Sequence, residues 1–303
     1  MLKVFVFPGQ GTQKCGMIRL LEPELDKVRD IFEMAGDISH RDVLDLCSNQ
    51  PDSVLAQTQN TQVCVTTMNL CFLKLLTERG VEPDVVLGQS LGQFSAVAAS
   101  GAMSYETTLR LVCERARMMA EMKGEESFLY VSLGLTLEQV KEAMDGIRGV
   151  EIALINAPTQ IVLGGNREGL EAVAAKLKAM GAFRVEQAKV DHAFHTSYMH
   201  DMEDEYSAYM DTLEVKQPKR RIILNCAARA AETAQDVIDD IKKQCCHTVL
   251  WSDSLQLLFS LGETKIAEVG AGKTMAGIIR NNNYKGRVFL MSDRKDFDIY
   301  SKG

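Results

Sequence analysis

The sequence predicts an α/β protein with a central, mostly parallel sheet and an inserted small subdomain. Short, continuously apolar segments such as residues 4–7 alternate with long amphipathic segments, as buried parallel strands alternate with helices. Between about residues 127 and 190 the pattern changes to the ferredoxin-like order β-α-β-β-α-β. We therefore expect a large domain at residues 1–125 and 192–303, interrupted by a ferredoxin-like small subdomain at residues 126–191.

Local patterns define the elements in the first half of the large domain. They predict a strand at 4–7, helices at 17–34 and 61–79, a strand at 83–87, and helices at 94–99 and 105–122. The helix at 61–79 is apolar nearly all round, which indicates a central, buried position. Ser104 precedes the helix at 105–122 and is its expected N-cap.

The remaining elements follow in the same way. The small subdomain is expected to contain strand 128–133, helix 137–144, strands 152–156 and 160–163, helix 168–180 and strand 183–190. The chain then returns to the large domain with a strand at 222–225, a helix at 252–261, a strand at 265–269 and a last helix after Gly272. Neither repeats nor low-complexity segments interrupt this order.

Composition excludes several classes of function. The 303 residues carry a formal net charge of −7, so no basic excess is available to neutralise nucleic-acid phosphates. The amino terminus lacks a signal-peptide pattern, and no segment reaches the roughly 20 apolar residues of a membrane span. Eight scattered cysteines without C-x-x-C spacing are typical of buried, reduced thiols, and metal binding at the adjacent Cys245 and Cys246 is not expected. These features predict a cytoplasmic monomer without a bound metal or cofactor.

The segment Gly88-Gln89-Ser90-Leu91-Gly92 follows an apolar strand and precedes a helix of small residues. This is the placement of a nucleophile elbow, whose glycines let two backbone segments approach closely. The serine hydroxyl then lies at a helix amino terminus, where free N–H groups favour negative charge. Ser90 is therefore the candidate nucleophile on a hydrolase-like α/β scaffold, and the N–H of Leu91 is a candidate oxyanion donor.

A serine nucleophile needs a base to accept its proton. Three of the five histidines lie between residues 191 and 200, directly after the small subdomain, where the chain re-enters the large domain. His195 is the candidate base. His192 and His200 are expected to have structural or substrate-shaping roles.

Six ordered motifs span residues 4–280. They are VFPGQGTQ at 6–13, GQSLG at 88–92 with FSA at 94–96, ERARMM at 114–119, NAPTQIV at 156–162, HAFH at 192–195 and EVGAGK at 268–273. Together they resemble the malonyl-CoA:acyl carrier protein transacylases of fatty acid synthesis and the acyltransferase domains of polyketide synthases. The resemblance implies a ping-pong acyltransferase that carries malonyl from malonyl-CoA, as a Ser90 ester, to the phosphopantetheine thiol of an acyl carrier protein, free or within a synthase.

The resemblance also implies roles for residues outside the elbow. The backbone N–H of Gln10 would complete the oxyanion hole, and Arg115 would hold the malonyl carboxylate. A bidentate guanidinium compensates for the hydration that a carboxylate loses in an enclosed cleft. Asn156, His192 and Phe194 would line the substrate site. Phe194 in the HAFH form accompanies malonyl, and its bulk would occupy the space of an α-methyl group, a discrimination of about 1–3 kcal/mol.

Two positions depart from the family pattern. Gln89, also expected to contact substrate, stands where a histidine usually precedes the nucleophile, and glutamine can hydrogen-bond but cannot titrate. Leu250 stands where glutamine or asparagine is common at the position that orients the base. Either the backbone carbonyl of residue 250 orients His195, or His195 lacks its usual partner.

Three other functions remain open, namely an acyl hydrolase on the same scaffold that releases carrier-bound acyl groups, a generic lipase or esterase, and a carrier-docking protein with weak catalysis. Arg115 favours transfer because the hydrolases generally lack it. A lipase needs a carboxylate between serine and histidine in sequence, and no Asp or Glu between Ser90 and His195 is distinguished by its pattern. An acidic carrier would require a local basic surface. The candidates are Lys216, Lys219, Arg220 and Arg221, or Lys189, Lys273 and Arg280.

Overall fold

Two sheets organise the computed structural model, which describes residues 1–22, 24–123, 125–188, 190 and 192–302. The strands are β1 (Leu2–Phe7), β2 (Val85–Gly88), β3 (Phe128–Leu133), β4 (Val150–Ala157), β5 (Gln160–Gly165), β6 (Arg184–Gln187), β7 (Arg221–Ile222), β8 (Thr264–Glu268) and β9 (Val288–Leu290). The helices are α1 (Leu25–Ser39), α2 (Val43–Ser48), α3 (Asp52–Leu55), α4 (Thr58–Thr77), α5 (Gly92–Ser100), α6 (Tyr105–Glu121), α7 (Leu137–Met144), α8 (Arg167–Ala179), α9 (Glu203–Met210), α10 (Ala234–Gln244), α11 (Trp251–Ser260), α12 (Thr274–Asn281) and α13 (Arg294–Ser301). Two 3₁₀ helices cover Met17–Leu21 and Ser197–Met202.

The central sheet has the strand order β7-β2-β1-β8-β9, and each pair of neighbours is parallel. Successive side chains of a strand point to opposite faces. In β1, Phe5 and Phe7 pack into one hydrophobic cluster, whereas Val4 and Val6 pack into another. Both faces of the sheet are therefore covered, which explains why β1 is apolar without alternation.

The helices behind the central sheet agree with the patterns that predicted them. α4 is buried along almost its whole length, as its all-round apolar sequence indicates. The small residues of α5 let this helix pack closely on β1 and β2. The Oγ of Ser104 caps α6 by accepting the N–H of Thr107 at 3.0 Å. In the described part of the chain, no helix is both long and apolar enough to cross a membrane.

The second sheet has the order β4-β5-β3-β6 and is antiparallel throughout. α7 and α8 cover one of its faces with a separate hydrophobic cluster. The succession β3-α7-β4-β5-α8-β6 is the ferredoxin-like order expected for the insert. The domain boundaries at 125/126 and 191/192 stay a prediction, and Asp191 lies outside the described residues.

Two predicted elements were wrong in their extent. The helix at 17–34 is interrupted, because the backbone at Glu22 is extended (φ −69°, ψ 138°), as is usual for a residue that precedes a proline. The strand at 222–225 is only Arg221–Ile222. It ends early because Asn225 turns into a buried polar network instead of pairing along the sheet.

The ends of two other segments also differ from expectation. α12 is not the last element, since β9 and α13 follow it and β9 adds an edge strand beside β8. β6 covers Arg184–Gln187 within the predicted strand 183–190, and Lys189 lies outside the described residues.

The cysteines are less uniformly buried than expected. Within the described structure all eight are free thiols, and Cys47, Cys64, Cys71, Cys245 and Cys246 are buried. Cys15 is exposed, however, and Cys113 and Cys226 are only partly buried, so the expectation of buried thiols was wrong for these three.

Candidate active site

Ser90 occupies a strained turn between β2 and α5. Its φ of 50° lies in the left-handed region, which is uncommon for a residue with a Cβ. The neighbouring glycines make this turn possible. A Cβ on Gly88 would overlap the carbonyl oxygen of Gly92, and a Cβ on Gly92 would overlap that of Phe7. The segment therefore has the geometry of a nucleophile elbow at the carboxyl end of β2.

His195 contacts the hydroxyl of Ser90 from 105 residues away in the sequence, with Nε2 2.7 Å from Oγ. Its other ring nitrogen, Nδ1, is 2.6 Å from the backbone oxygen of Gln244. The backbone N–H of His195 donates to the backbone oxygen of Cys245 at 2.8 Å. A carbonyl oxygen can only accept, so Nδ1 carries the proton. Nε2 is consequently the unprotonated nitrogen that can accept the Ser90 proton.

The surroundings keep this imidazole neutral. His195 is 3% exposed. Burial and, second, the positive charge of Arg115 lower its pKa to about 3, against the opposing effect of the Gln244 carbonyl. At neutral pH the ring is therefore in the form that a general base requires.

Residue 250 does not orient the base. Leu250 immediately precedes α11, and its N–H donates to the backbone oxygen of Asn225 at 2.8 Å. The orienting acceptor is the carbonyl of Gln244, the last residue of α10. Of the two alternatives, the backbone carbonyl of residue 250 was therefore wrong, and His195 does lack a partner at that position. Because this acceptor is a backbone carbonyl, the arrangement differs from the serine-histidine-carboxylate triad of a lipase or esterase.

Two backbone N–H groups lie beside the elbow without partners. Within the part of the chain that the structure describes, neither the N–H of Leu91 nor that of Gln10 donates a hydrogen bond. The loop that carries Gln10 runs close to the elbow, since a Cβ on Gly9 would lie 2.7 Å from the Gln89 oxygen and 3.6 Å from the Leu91 nitrogen. These two groups are the available donors for an oxyanion.

Arg115 places a buried positive charge near this pair. It is 1% exposed, its Nη1 donates to Oε1 of Gln62, and its guanidinium lies over the Phe94 ring, 5.4 Å from the centroid. Among the described residues it has no carboxylate partner, and its Nε has no hydrogen-bond partner. A buried guanidinium without a counter-ion is unfavourable, so this arrangement indicates a site for an anionic ligand.

Arg117, two residues further along α6, faces the opposite way. Its guanidinium forms ion pairs with Glu114, Glu121 and Glu205 at the surface. Of these two arginines, Arg115 is thus the one whose charge reaches the buried base.

A sequence model of the acyl transferase domain matches residues 4–281. The chain belongs to this family. The polyketide biosynthesis malonyl CoA-acyl carrier protein transacylase of Bacillus velezensis is 33% identical to it over 282 residues, which cover 91% of this chain and 94% of that protein. The malonyl CoA-acyl carrier protein transacylase of Staphylococcus aureus is 31% identical over 285 residues, or 92% and 91% of the two chains. The crystal structure of the acyl-carrier-protein S-malonyltransferase from Burkholderia pseudomallei has a TM-score of 0.95 with 28% identity, and the match covers both chains in full.

In this acyl transferase, two buried amides hold the elbow in place. The Oδ1 of Asn225 accepts the N–H of Ser90 at 2.8 Å, and its Nδ2 donates to the Gly88 oxygen at 2.7 Å. The Nε2 of Gln244 donates to the Ser90 oxygen at 3.1 Å and to Oδ1 of Asn225 at 3.2 Å. Since the carbonyl of Gln244 also binds His195, one residue connects the nucleophile to its base.

Neither amide was predicted from the sequence. Asn225 was assigned to a strand, and α10 was not predicted at all. A signal for α10 exists, because Thr233 and Asp236 form a reciprocal capping box at its start. Even so, the helix alone does not reveal that Gln244 acts through its backbone oxygen.

Gln89 connects the elbow to the small subdomain of the acyl transferase. Its Nε2 donates to Oδ1 of Asn156, which lies near the end of β4. The backbone oxygen of Asn156 in turn accepts Nδ2 of Asn282 at 2.8 Å. The two amide side chains that were expected at the substrate site are therefore in direct contact, next to Ser90.

Of the histidines at positions 192, 195 and 200, His195 is the one that hydrogen-bonds to Ser90 in the described structure. Phe194, directly before the base, is buried, and the half-buried His192 lies beside it with 6.2 Å between ring centroids. His200 lies at the surface, where its Nδ1 contacts Oε2 of Glu203 at 2.5 Å.

Proposed function

We propose that this acyl transferase moves the malonyl group of malonyl-CoA to the phosphopantetheine thiol of an acyl carrier protein. The observation that carries the proposal is the buried Arg115 guanidinium, without a carboxylate partner in the described structure, near the Ser90–His195 pair. A nucleophile, a neutral base and a fixed positive charge suit an acyl group that ends in a carboxylate. The names of the relatives, which specify malonyl CoA and acyl carrier protein, support the same two substrates.

In the first half-reaction, Oγ of Ser90 attacks the thioester carbonyl while Nε2 of His195 takes the hydroxyl proton. The N–H groups of Leu91 and Gln10 stabilise the oxyanion of the tetrahedral intermediate. When the C–S bond breaks, the CoA sulfur takes the proton from His195. The product is a malonyl ester on Ser90.

The second half-reaction runs the same steps in reverse with a new thiol. His195 takes the proton of the phosphopantetheine thiol, whose sulfur attacks the malonyl ester. Collapse of the second intermediate returns the proton to Oγ of Ser90. This ping-pong scheme uses malonyl-CoA and the phosphopantetheine arm as substrates, requires no bound cofactor and places all the reacting side chains on a single, monomeric chain.

The malonyl group itself would lie between Arg115 and the elbow. Arg115 offers the two parallel N–H groups that bind a carboxylate. Phe194 and the contacting side chains of Gln89 and Asn156 would border the reacting carbonyl, with His192 beside Phe194. We infer that the bulk of Phe194 favours malonyl over methylmalonyl by about 1–3 kcal/mol.

Intact-mass measurement tests the proposed function. After incubation with malonyl-CoA the protein should gain one malonyl group, and addition of holo-acyl carrier protein should move that group to the carrier. Release of free malonate without carrier labelling would instead support the acyl hydrolase, which uses the same nucleophile. Absence of any adduct would contradict both enzymes and leave the docking function.

Carrier docking concerns the two basic surfaces predicted from the sequence. Residues 216–221 lead into β7, and Arg221 pairs with Val85 at the amino end of β2. Ser90 follows the carboxyl end of β2, so this basic group lies at the opposite end of the strands from Ser90. It is also partly neutralised, because Lys216 pairs with Glu214 and Arg220 with Glu82.

In the second basic group, Lys273 lies at the same end of the central sheet as Ser90. Lys273 follows β8 in a loop where Gly272 approaches Thr12, next to the Gln10 loop. Arg280 lies at the other end of α12, beside Asn282, which binds the Asn156 oxygen. Lys273 and Arg280 are exposed and have no ion-pair partner among the described residues, whereas Lys189 lies outside them. We infer that Lys273 and Arg280 meet the acidic carrier.

Reversing these charges should weaken carrier binding alone. For Lys273→Glu combined with Arg280→Glu, we expect the KM for the carrier to rise about tenfold, because opposing charges steer the two proteins together. The KM for malonyl-CoA should stay unchanged. Lys219→Glu is the matched control, because Lys219 is exposed and lies at the opposite end of the sheet from Ser90. An equal or larger rise with Lys219→Glu would show that the carrier docks there.

A further inference from the structure

Three metal-binding side chains converge outside the reacting pair. His200 belongs to the 3₁₀ helix Ser197–Met202, Glu203 is the first residue of α9, and Cys246 follows α10. One ligand atom from each side chain lies within 4.8 Å of the other two. His200 and Glu203 are three residues apart on continuous helical turns and so share a face. Tertiary packing alone brings Cys246 to them.

The donor set is that of a thiophilic divalent cation. Zinc binds thiolate sulfur at about 2.3 Å and imidazole nitrogen or carboxylate oxygen at about 2.0–2.2 Å, usually with four ligands. Coordination would open the 2.5 Å contact between Nδ1 of His200 and Oε2 of Glu203 and bring Sγ of Cys246 to the same ion. Three protein ligands leave the fourth position to water. Carboxylate-only cations such as magnesium and calcium would not use the sulfur.

The burial of the three groups is graded in a way that suits entry of an ion. Cys246 is 6% exposed and forms the floor, whereas the side chains of His200 and Glu203 are 55% and 33% exposed and form the rim.

We propose that His200, Glu203 and Cys246 bind a divalent cation of the zinc class. Coordination replaces the Sγ–H bond of Cys246 by an Sγ–metal bond, and the proton passes to the solvent. The ion would link the segment that follows His195 to the segment whose backbone carbonyls bind His195. Residues 197–203 follow the base directly, and the carbonyls of Gln244 and Cys245, just before Cys246, bind its ring and its N–H. The site is therefore a clamp on the base, distinct from the reacting groups.

Cobalt(II) titration of the full-length protein tests this site, because cobalt takes the place of zinc and reports thiolate coordination in its absorption spectrum. We expect a sulfur-to-cobalt charge-transfer band that saturates at about one equivalent and is displaced by zinc. Cys246→Ser should abolish the band, and His200→Ala should weaken cobalt binding by about tenfold or more. Zinc should raise the Tm of the wild-type protein and leave that of Cys246→Ser unchanged.

Two neighbouring residues provide matched controls. His247→Ala removes an exposed histidine next to Cys246, and Cys15→Ser removes the exposed cysteine; both variants should retain the band. His200 is at the surface, so His200→Ala decides the question even if the buried Cys246→Ser fails to fold. Persistence of full-strength binding in His200→Ala, or absence of a saturable band in the wild-type protein, would overturn the proposal.

Discussion

Replacing Ser90 with alanine should eliminate the malonyl-enzyme adduct and lower transfer to the carrier by about 10⁴-fold or more, the usual cost of losing a catalytic nucleophile. The reason is geometric. Oγ of Ser90 is the group within 2.7 Å of the neutral Nε2 of His195, and it lies beside the unpartnered N–H groups of Leu91 and Gln10. Intact mass after incubation with malonyl-CoA, followed by transfer kinetics with holo-carrier, measures both effects.

The substitution itself should leave the fold intact. Alanine retains the Cβ that Ser90 already accommodates at a φ of 50°, and the backbone bonds from Asn225 and Gln244 do not involve the hydroxyl. Ser260→Ala, on the exposed end of α11, is the matched control and should load normally. A malonyl adduct of wild-type yield on Ser90→Ala would mean that a different side chain is the nucleophile.

Arg115→Ala should lower kcat/KM for malonyl-CoA by roughly 10²-fold, since about 3 kcal/mol of charge-assisted hydrogen bonding to the carboxylate is lost. Loading from acetyl-CoA, which lacks that carboxylate, should not fall in parallel. The ratio of the two rates is the informative measurement, because general damage to the site would lower both. It also separates a carboxylate clamp from an arginine that merely fills space.

Arg117→Ala is the control for this prediction. It removes an arginine of the same helix whose ion pairs with Glu114, Glu121 and Glu205 lie at the surface. Exposed pairs contribute about 0–1 kcal/mol each, so malonyl loading should be nearly unchanged. If Arg115→Ala loaded malonyl-CoA as well as the wild-type protein did, the assignment of the carboxylate site would be wrong.

The small subdomain shows how far local patterns reach. The predicted bounds of β3 and α7 agree with the structure, because both are short elements whose hydrophobic period and caps lie within the element itself. Prediction was poorer where tertiary context decides. β7 is two residues long because the following Asn225 is drawn into buried contacts with Gly88, Gln93 and Asp240.

The sequence by itself was enough to predict the elbow around Ser90 and the candidate base His195, because residue types and their spacing identify both. The candidate clamp Arg115 was predicted from the resemblance of the six ordered motifs to the family to which the chain belongs. The tertiary structure alone decided what holds the base. That role falls to the carbonyl of Gln244 and not to residue 250, because every residue carries a backbone carbonyl and only packing selects one. It likewise decided that Lys273 lies at the same end of the central sheet as Ser90, and that Cys246 meets His200 and Glu203, since contacts between distant segments leave no spacing in the chain.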